Sequence, residues 1–476
     1  MMTSKRCIIG CGTYGSYLLR RLIEAFPDDE IIVLELGDRR SQSESEAGLY
    51  SESMESQAAR AGRYFGLGGT SARWGGQVLF FDERDNPLHD PVWSQIIAIN
   101  KRYKTRVIEN LFGDRSIQPL LELNDKGNLK TGIWLKYNKR NLFKQVNLYK
   151  KSEIQLRTGC RVISMNFTQD KLQSVEIINE QRIRQIIEAD IFYLTAGAIE
   201  SCRIMLEMRS KGKFTGTSDI GKHLGDHLSV ELFKIQNSTP AIQGVNLIPI
   251  WHKGSLVTKR LLVYTSDGRV GYIQGVFNKH IRIFTILKQL MFGKKQTEFN
   301  IKELFTGLVF LLKLAWNLLI KRQLYADPKE WSLQLDIEQQ YPNKHKLELS
   351  KTNDKFGVPG IKLDWSAEPE DRKFIEEISL QFREILLQEK LQFSDCFNNV
   401  VNGATKIEDV YHPVGFMRMG TDDSAVTDMH CKIRGAANLF HFSTALFSSA
   451  RSINPTGAVF CLIEAHLEQA IQQKTA

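Results

Sequence analysis

Cys7-Ile8-Ile9-Gly10-Cys11-Gly12-Thr13-Tyr14-Gly15 reads as a short buried strand running straight into a tight glycine turn of the form G-x-G-x-x-G. Beyond it Leu18, Leu19, Leu22, Ile23 and Phe26 recur on one helical face, and Pro27-Asp28-Asp29 closes that helix. Ile31-Ile32-Val33-Leu34 then forms a second apolar strand that ends on Glu35. The three pieces make one βαβ unit, and each glycine has a task. Gly10 permits the turn, Gly12 lets backbone approach a pyrophosphate, and Gly15 lets the helix pack on the strand. The anion would sit at the helix N-terminus, where free N–H groups and the dipole favour it. Glu35, about 20 residues past Gly15, stands where an acid accepts hydrogen bonds from a ribose. An acid there repels a 2′-phosphate, so FAD or NAD is favoured over NADP.

A second loop, Gly66-Leu67-Gly68-Gly69-Thr70-Ser71-Ala72-Arg73-Trp74-Gly75-Gly76-Gln77, carries more glycine than packing requires. Positions without side chains suit backbone lying against a flat or charged ligand. A nicotinamide domain has no need of such a loop; a flavin domain does. Ile191-Phe192-Tyr193-Leu194-Thr195-Ala196-Gly197-Ala198 reads as strand, turn and helix start, returning the chain to the nucleotide domain. Asp219 to His227 precedes a strand-rich stretch. There, Leu261–Thr265 and Trp331–Glu338 alternate as an antiparallel sheet with one covered face would.

Taken in order, these segments resemble the glucose–methanol–choline (GMC) oxidoreductases. So do Leu34-Glu35-Leu36-Gly37, Leu224-Gly225-Asp226-His227, Glu338-Gln339 with Pro342-Asn343, Phe356-Gly357 with Asp364-Trp365, and the block from His412 onward. The resemblance implies an α/β fold. A discontinuous Rossmann-like FAD-binding domain would take residues 1–90, 151–227 and 405–476. An α+β substrate domain built on an antiparallel sheet would take 91–150 and 228–404, with an apolar insertion at 281–325. It also implies an alcohol-oxidising site. His412 would serve as the base for the hydroxyl proton, Asn454 as its partner, and flavin N5 as the hydride acceptor. Neutral imidazole suits that role near neutral pH. FAD contacts would come from Gly10, Gly12, Thr13, Gly15, Glu35, Gly68, Gly69, Ser71, Trp74, Gly75, Gly76, Val162, Ala196, Gly197, Asn454, Pro455 and Thr456. Where some members attach FAD through a histidine of the second glycine loop, this chain has Arg73, so the FAD is expected to be non-covalent. Phe442 to Ser449 is similar to the bacterial sugar-dehydrogenase branch, which makes a sugar or glycoside the expected substrate. A lipid-linked or hydrophobic alcohol, and a flavin-bearing binding protein without turnover, stay open as alternatives. The electron acceptor is not written in the sequence, and a dehydrogenase is favoured over an oxidase.

Composition sets the outer bounds. In 476 residues, 42% hydrophobic and 25% charged, the values are those of a globular protein and exclude disorder, collagen-like repeats and a polytopic membrane protein. The net charge of +9 looks spread along the chain rather than packed into a tail, and no basic run carries interleaved aromatics, so nucleic acid is not an expected partner. Seven scattered cysteines, without a CxxC pair or a Cys/His cluster, predict reduced thiols and no metal. Only three apolar residues follow Lys5-Arg6 before glycine, so no secretory signal is read and a cytoplasmic location is expected. Within 281–325, Leu304–Ile320 is apolar and followed by Lys321-Arg322, while Ile281–Phe292 ends at Lys294-Lys295. That pattern suits an interfacial helix on a membrane surface better than a spanning one; a lid or core helix pair and a dimer interface are the alternatives.

Overall fold

Strand Lys5–Ile9, helix Thr13–Ala25 and strand Glu30–Leu34 open the chain as a βαβ unit in the computed structural model. The structure describes residues 3–53, 62–86, 88–113, 117, 127–148, 153–236, 241–242, 245–265, 267–277, 301–324, 331–395 and 407–475. Cys396 and the run Ile281–Phe292 with Lys294-Lys295 lie outside them. The βαβ unit seeds a five-stranded sheet whose spatial order is Ile154–Arg157, Glu30–Leu34, Lys5–Ile9, Ile191–Leu194, Leu439–His441. Every neighbouring pair is parallel. Both faces are covered, which is why its strands read as unbroken apolar runs. Cys7, Ile9, Ile32 and Leu34 pack with Ile199, Cys202 and Met205 of helix Ala198–Ser210 on one side. Ile8, Ile31 and Val33 pack with Leu18, Leu22 and Phe460 on the other, under helices Thr13–Ala25 and Thr456–Thr475.

The second assembly is a nine-stranded sheet. Its main path runs Gln392–Asp395, His227–Gln236, Trp331–Glu338, Val270–Phe277, Ser255–Tyr264, Leu129–Trp134, Gln77–Val78, and each pair is antiparallel. Helix Pro369–Gln388 places Phe374, Ile378 and Phe382 in the same core as Leu333, Leu335 and Ile337. The sheet does not respect the expected sequence boundaries. Gln77–Val78 comes from the 1–90 segment and Glu408–Asp409, paired with His227–Gln236, from the 405–476 segment. The hairpin of Lys346–Asn353 and Pro359–Asp364 packs instead on helix Ala198–Ser210. The reason is local: the glycine loop ends, and the 405–476 segment begins, with residues that pair with the antiparallel sheet.

A buried ion pair closes the seam where these segments meet. Lys130 Nζ lies 2.5 Å from Asp85 Oδ2, and Ser452 sends both its hydroxyl (2.5 Å) and its amide (3.2 Å) to Asp85 Oδ1. Both charged side chains are fully buried. Removing one partner of such a pair strands the other charge in a dry site. Asp85→Ala is therefore expected to cost about 3–5 kcal/mol of unfolding free energy, read as a lowered urea midpoint at unchanged slope. An unchanged midpoint would show that the half-buried Asp82, 3.2 Å from Lys130 Nζ, carries the pair alone.

Candidate active site

One cavity of about 840 Å³ lies between the two sheets, lined by the glycine turn at one end and by the antiparallel sheet at the other. At the first end, helix Thr13–Ala25 starts at Gly12 with no side-chain cap and no acid in its first turn, so its N-terminal donors are open to an anion. Gly10 is left-handed (φ 95°), and a Cβ on it would lie 2.5 Å from Ala196 Cα. A Cβ on Gly15 would overlap the carbonyl oxygen of Gly10, so that glycine serves helix–strand packing. A second uncapped helix start, at Gly197, also lines the cavity.

Glu35 is almost entirely buried, and its carboxylate is shared among three loops. Oε2 accepts from Cys11 N at 2.7 Å, and Oε1 accepts from Gly37 N and from Gly66 N, each at 2.9 Å. Burial raises its pKa, and the amides of Gly37, Gly66, Cys11 and Leu36 act in the opposite sense. The acid thus ties the fingerprint turn to the second glycine loop in addition to the role that the spacing predicts.

Of the residues expected around FAD, the cavity brings together Gly10, Gly12, Thr13, Glu35, Gly69, Trp74, Gly75, Gly76, Val162, Ala196, Gly197, Asn454 and Thr456. Gly15, Gly68, Ser71 and Pro455 are not in its lining. Ser71 is occupied elsewhere: its hydroxyl donates to Gly68 O at 2.6 Å and accepts from Leu142 N at 3.1 Å, which holds the loop's shape. The residues present fit the cofactor: an uncapped, acid-free helix start at Gly12 for phosphate, side-chain-free backbone beside it, and the Glu35 carboxylate in the same lining. Arg73 is exposed and lies over the Tyr64 ring at 5.7 Å.

His412 and Asn454 line the other end of the same cavity. The His412 amide is fixed by the buried Asp226 carboxylate, at 2.9 and 3.0 Å. Its Nδ1 is buried and makes no hydrogen bond, and burial, with His227 and Arg260 nearby, holds its pKa well below the usual imidazole value. His227 stands edge-on to it, ring centroids 5.7 Å apart. His227 Nε2 lies 2.6 Å from the Arg451 carbonyl, which can only accept, so that nitrogen carries the proton. Burial lowers the His227 pKa to about 4. Two neutral imidazoles therefore face each other.

Arg260 was not among the expected residues, and it organises this end. Only 1% exposed, its Nη2 donates to Asn454 Oδ1 at 2.6 Å and to Gln77 Oε1 at 2.9 Å, and its Nη1 to Ser452 O at 3.1 Å. Its guanidinium also lies 3.9 Å from the centroid of the Tyr272 ring. Arginine can only donate, so both amide oxygens must point at it. The Asn454 amide nitrogen then turns to Gln77 Oε1 at 3.0 Å and keeps one N–H free. Leu256, Thr258 and Arg260, Tyr272, Gln274 and Val276, and Gln334 and Asp336 all line the cavity. Their spacing of two is the signature of one sheet face, and it was available in the sequence. What the sequence did not show was that this face turns toward the glycine loops.

A scan against family models matches residues 344–462 to the GMC oxidoreductase C-terminal model, whose description is GMC oxidoreductase. No curated protein matches the sequence. Among solved structures, the chain is similar to pyridoxine 4-oxidase from Mesorbium loti, with a TM-score of 0.61 and 16% identity, covering 98% of this chain and 99% of that one. It is also similar to formate oxidase, with a TM-score of 0.59 and 12% identity over 100% and 99% of the two chains. At such identities those two likenesses are of fold. The family match, to a family of FAD-binding flavoproteins, covers residues 344–462, the block that holds His412 and Asn454.

Proposed function

We propose that the chain oxidises an alcohol carbon of a polar, hydroxyl-rich small molecule, a sugar or glycoside, with His412 as the base. The observation that carries this reading is the buried, unpartnered, neutral imidazole of His412 in the same cavity as the clamped carboxamide of Asn454. The parallel strand order, numbered along the chain as 3-2-1-4-5, supports a Rossmann-like domain for FAD. Its holders would be the Gly10–Gly12 turn with Thr13, Glu35, the Gly69–Gly76 loop, Val162, Ala196, Gly197 and Thr456. Bound non-covalently there, FAD supplies the acceptor for the hydride.

The protein's own residues do the rest. His412 takes the hydroxyl proton. Asn454, its oxygen held by Arg260, offers its free N–H to the alcohol oxygen as negative charge grows on it. The nearby guanidinium favours the same charge. Thr258, Gln274, Gln334 and Asp336 put polar groups on the sheet face. They are hydrogen-bonded in part to one another and to Gln77, Trp134 and Ser229, and the acceptor positions left over favour a hydroxyl-bearing substrate over an apolar alcohol.

Anaerobic mixing of the yellow protein with sugars, pyridoxine and apolar alcohols is the direct test. A sugar or glycoside should bleach the flavin; bleaching by apolar alcohols alone would overturn the substrate reading. Reoxidation on admitting air would identify oxygen as the acceptor. His412→Ala should retain FAD and slow bleaching by about 10²–10⁴-fold, the usual worth of general base catalysis. The wild-type pH profile should follow from the depressed imidazole. A base is active above its pKa, so kcat/KM should stay flat as pH falls through 6.5 and drop only at lower pH. An acid limb at 6.5 would put His412 in a wetter setting than the one described. Arg260→Lys keeps the charge but cannot hold both amide oxygens in a fork. It should lower kcat by roughly 10- to 150-fold, the equivalent of about 1.5–3 kcal/mol for a hydrogen bond to a charged group, with FAD content unchanged.

A further inference from the structure

Helix Ile301–Ile320 presents its apolar side to solvent. Phe305 (67% exposed), Leu308, Leu312, Trp316 (62%), Leu319 (72%) and Ile320 lie at helical spacings of three and four. At 3.6 residues per turn they share one face roughly 120° wide. A surface helix of a globular protein normally turns such a stripe inward. Here Gly307 and Asn317 are buried, Phe310, Leu311, Leu314 and Leu318 are half-buried, and the six residues above are outside. A contiguous exposed patch of this kind marks an interaction surface.

Charge identifies the occupant. Residues 278–324 contain nine lysines and arginines against two glutamates, a surplus of seven, while the whole chain has a net charge of only +9. The basic excess is therefore concentrated in this insertion, contrary to the even spread that the sequence first suggests. Lys313, Lys321 and Arg322 are exposed on and just after the helix. Among the described residues no helix is long and apolar enough to cross a membrane. A broad apolar face with tryptophan and flanking cations, too short to span, is the pattern of a helix lying in the interface of an anionic bilayer.

The helix is also tied to the cavity. After its last turn, the Arg322 carbonyl accepts from Trp251 N at 2.7 Å, and Leu324 N donates to the Pro249 carbonyl at 2.9 Å. Pro249 and Leu324 both line the cavity, and Trp251 is itself exposed. We propose that the Phe305–Ile320 face docks the protein on an anionic lipid surface, with the rim of the catalytic cavity beside the membrane. This inference does not depend on the substrate assigned above.

Flotation of the full-length holoprotein tests it, with phosphatidylcholine vesicles made with and without phosphatidylglycerol. The protein should float with the phosphatidylglycerol vesicles and be released from them by salt, as screening at 1 M ionic strength shortens the Debye length to about 3 Å. The variant Leu308→Ser/Leu312→Ser/Trp316→Ser changes only exposed positions. It should lose flotation while keeping its flavin spectrum and its rate of substrate bleaching. A wild-type protein that stays in the soluble fraction with both vesicles overturns the proposal, as does a triple variant that floats equally well. A wild-type dimer that the triple variant converts to monomer, without flotation of either, would give the face to a second copy of the chain and overturn it as well.

Discussion

A guanidinium held almost entirely out of water sets the terms for the whole catalytic end. Arg260 forms no ion pair among the described residues, and a buried cation without a carboxylate is costly unless its donors are satisfied. Three neutral carbonyl oxygens and the face of Tyr272 meet most of that demand, while Nε stays buried without a hydrogen bond. They come from distant parts of the chain: Gln77 at the end of the second glycine loop, Ser452 and Asn454 before the last helix, and Arg260 itself from the middle of the antiparallel sheet. One cation therefore fixes the meeting of three segments, and its inability to accept fixes which way two amides turn. Its charge also acts through space, helping to keep His412 and His227 unprotonated.

Glu35 does for the nucleotide end what Arg260 does for the other. Its position at the close of a buried strand lets two oxygens reach the amides of Cys11, Gly37 and Gly66. Charge-assisted bonds of this kind are stronger than neutral ones, so the loop that would lie along the cofactor is held in register with the turn that would bind its phosphates. The two ends use opposite charges for one purpose. Each is a buried charged group whose hydrogen bonds go to neutral partners.

The sequence was most legible where function and local geometry coincide. The turn from Gly10 to Gly15 needs positive φ and close backbone approach within six residues, and those needs leave a compositional trace. His412 and Asn454 are legible only as parts of a family-like order of motifs, because a histidine and an asparagine in loops carry no local signature. Ser71 and Gly68, expected as cofactor contacts, also bond each other and lie outside the cavity lining, since glycine density marks a loop's shape as well as its contacts. Arg260, Thr258, Gln274, Gln334 and Asp336 were missed for a different reason. Their alternation reveals a sheet face, but strand register and sheet orientation decide what that face meets, and both are set by contacts between residues far apart in sequence.

The apolar helix shows the same limit from the other side. Its composition was plain in the sequence, but hydrophobic periodicity alone cannot say whether a stripe points inward or outward. Fixing the helix end by backbone bonds to Trp251 and Pro249 settles that for the C-terminal turn. It also means that this turn cannot move independently of the cavity rim, because Leu324 belongs to both. Ile250–His252 pairs directly with Ser255–Tyr264, the strand that carries Arg260, so the segment that receives the helix end belongs to the same sheet as the catalytic end.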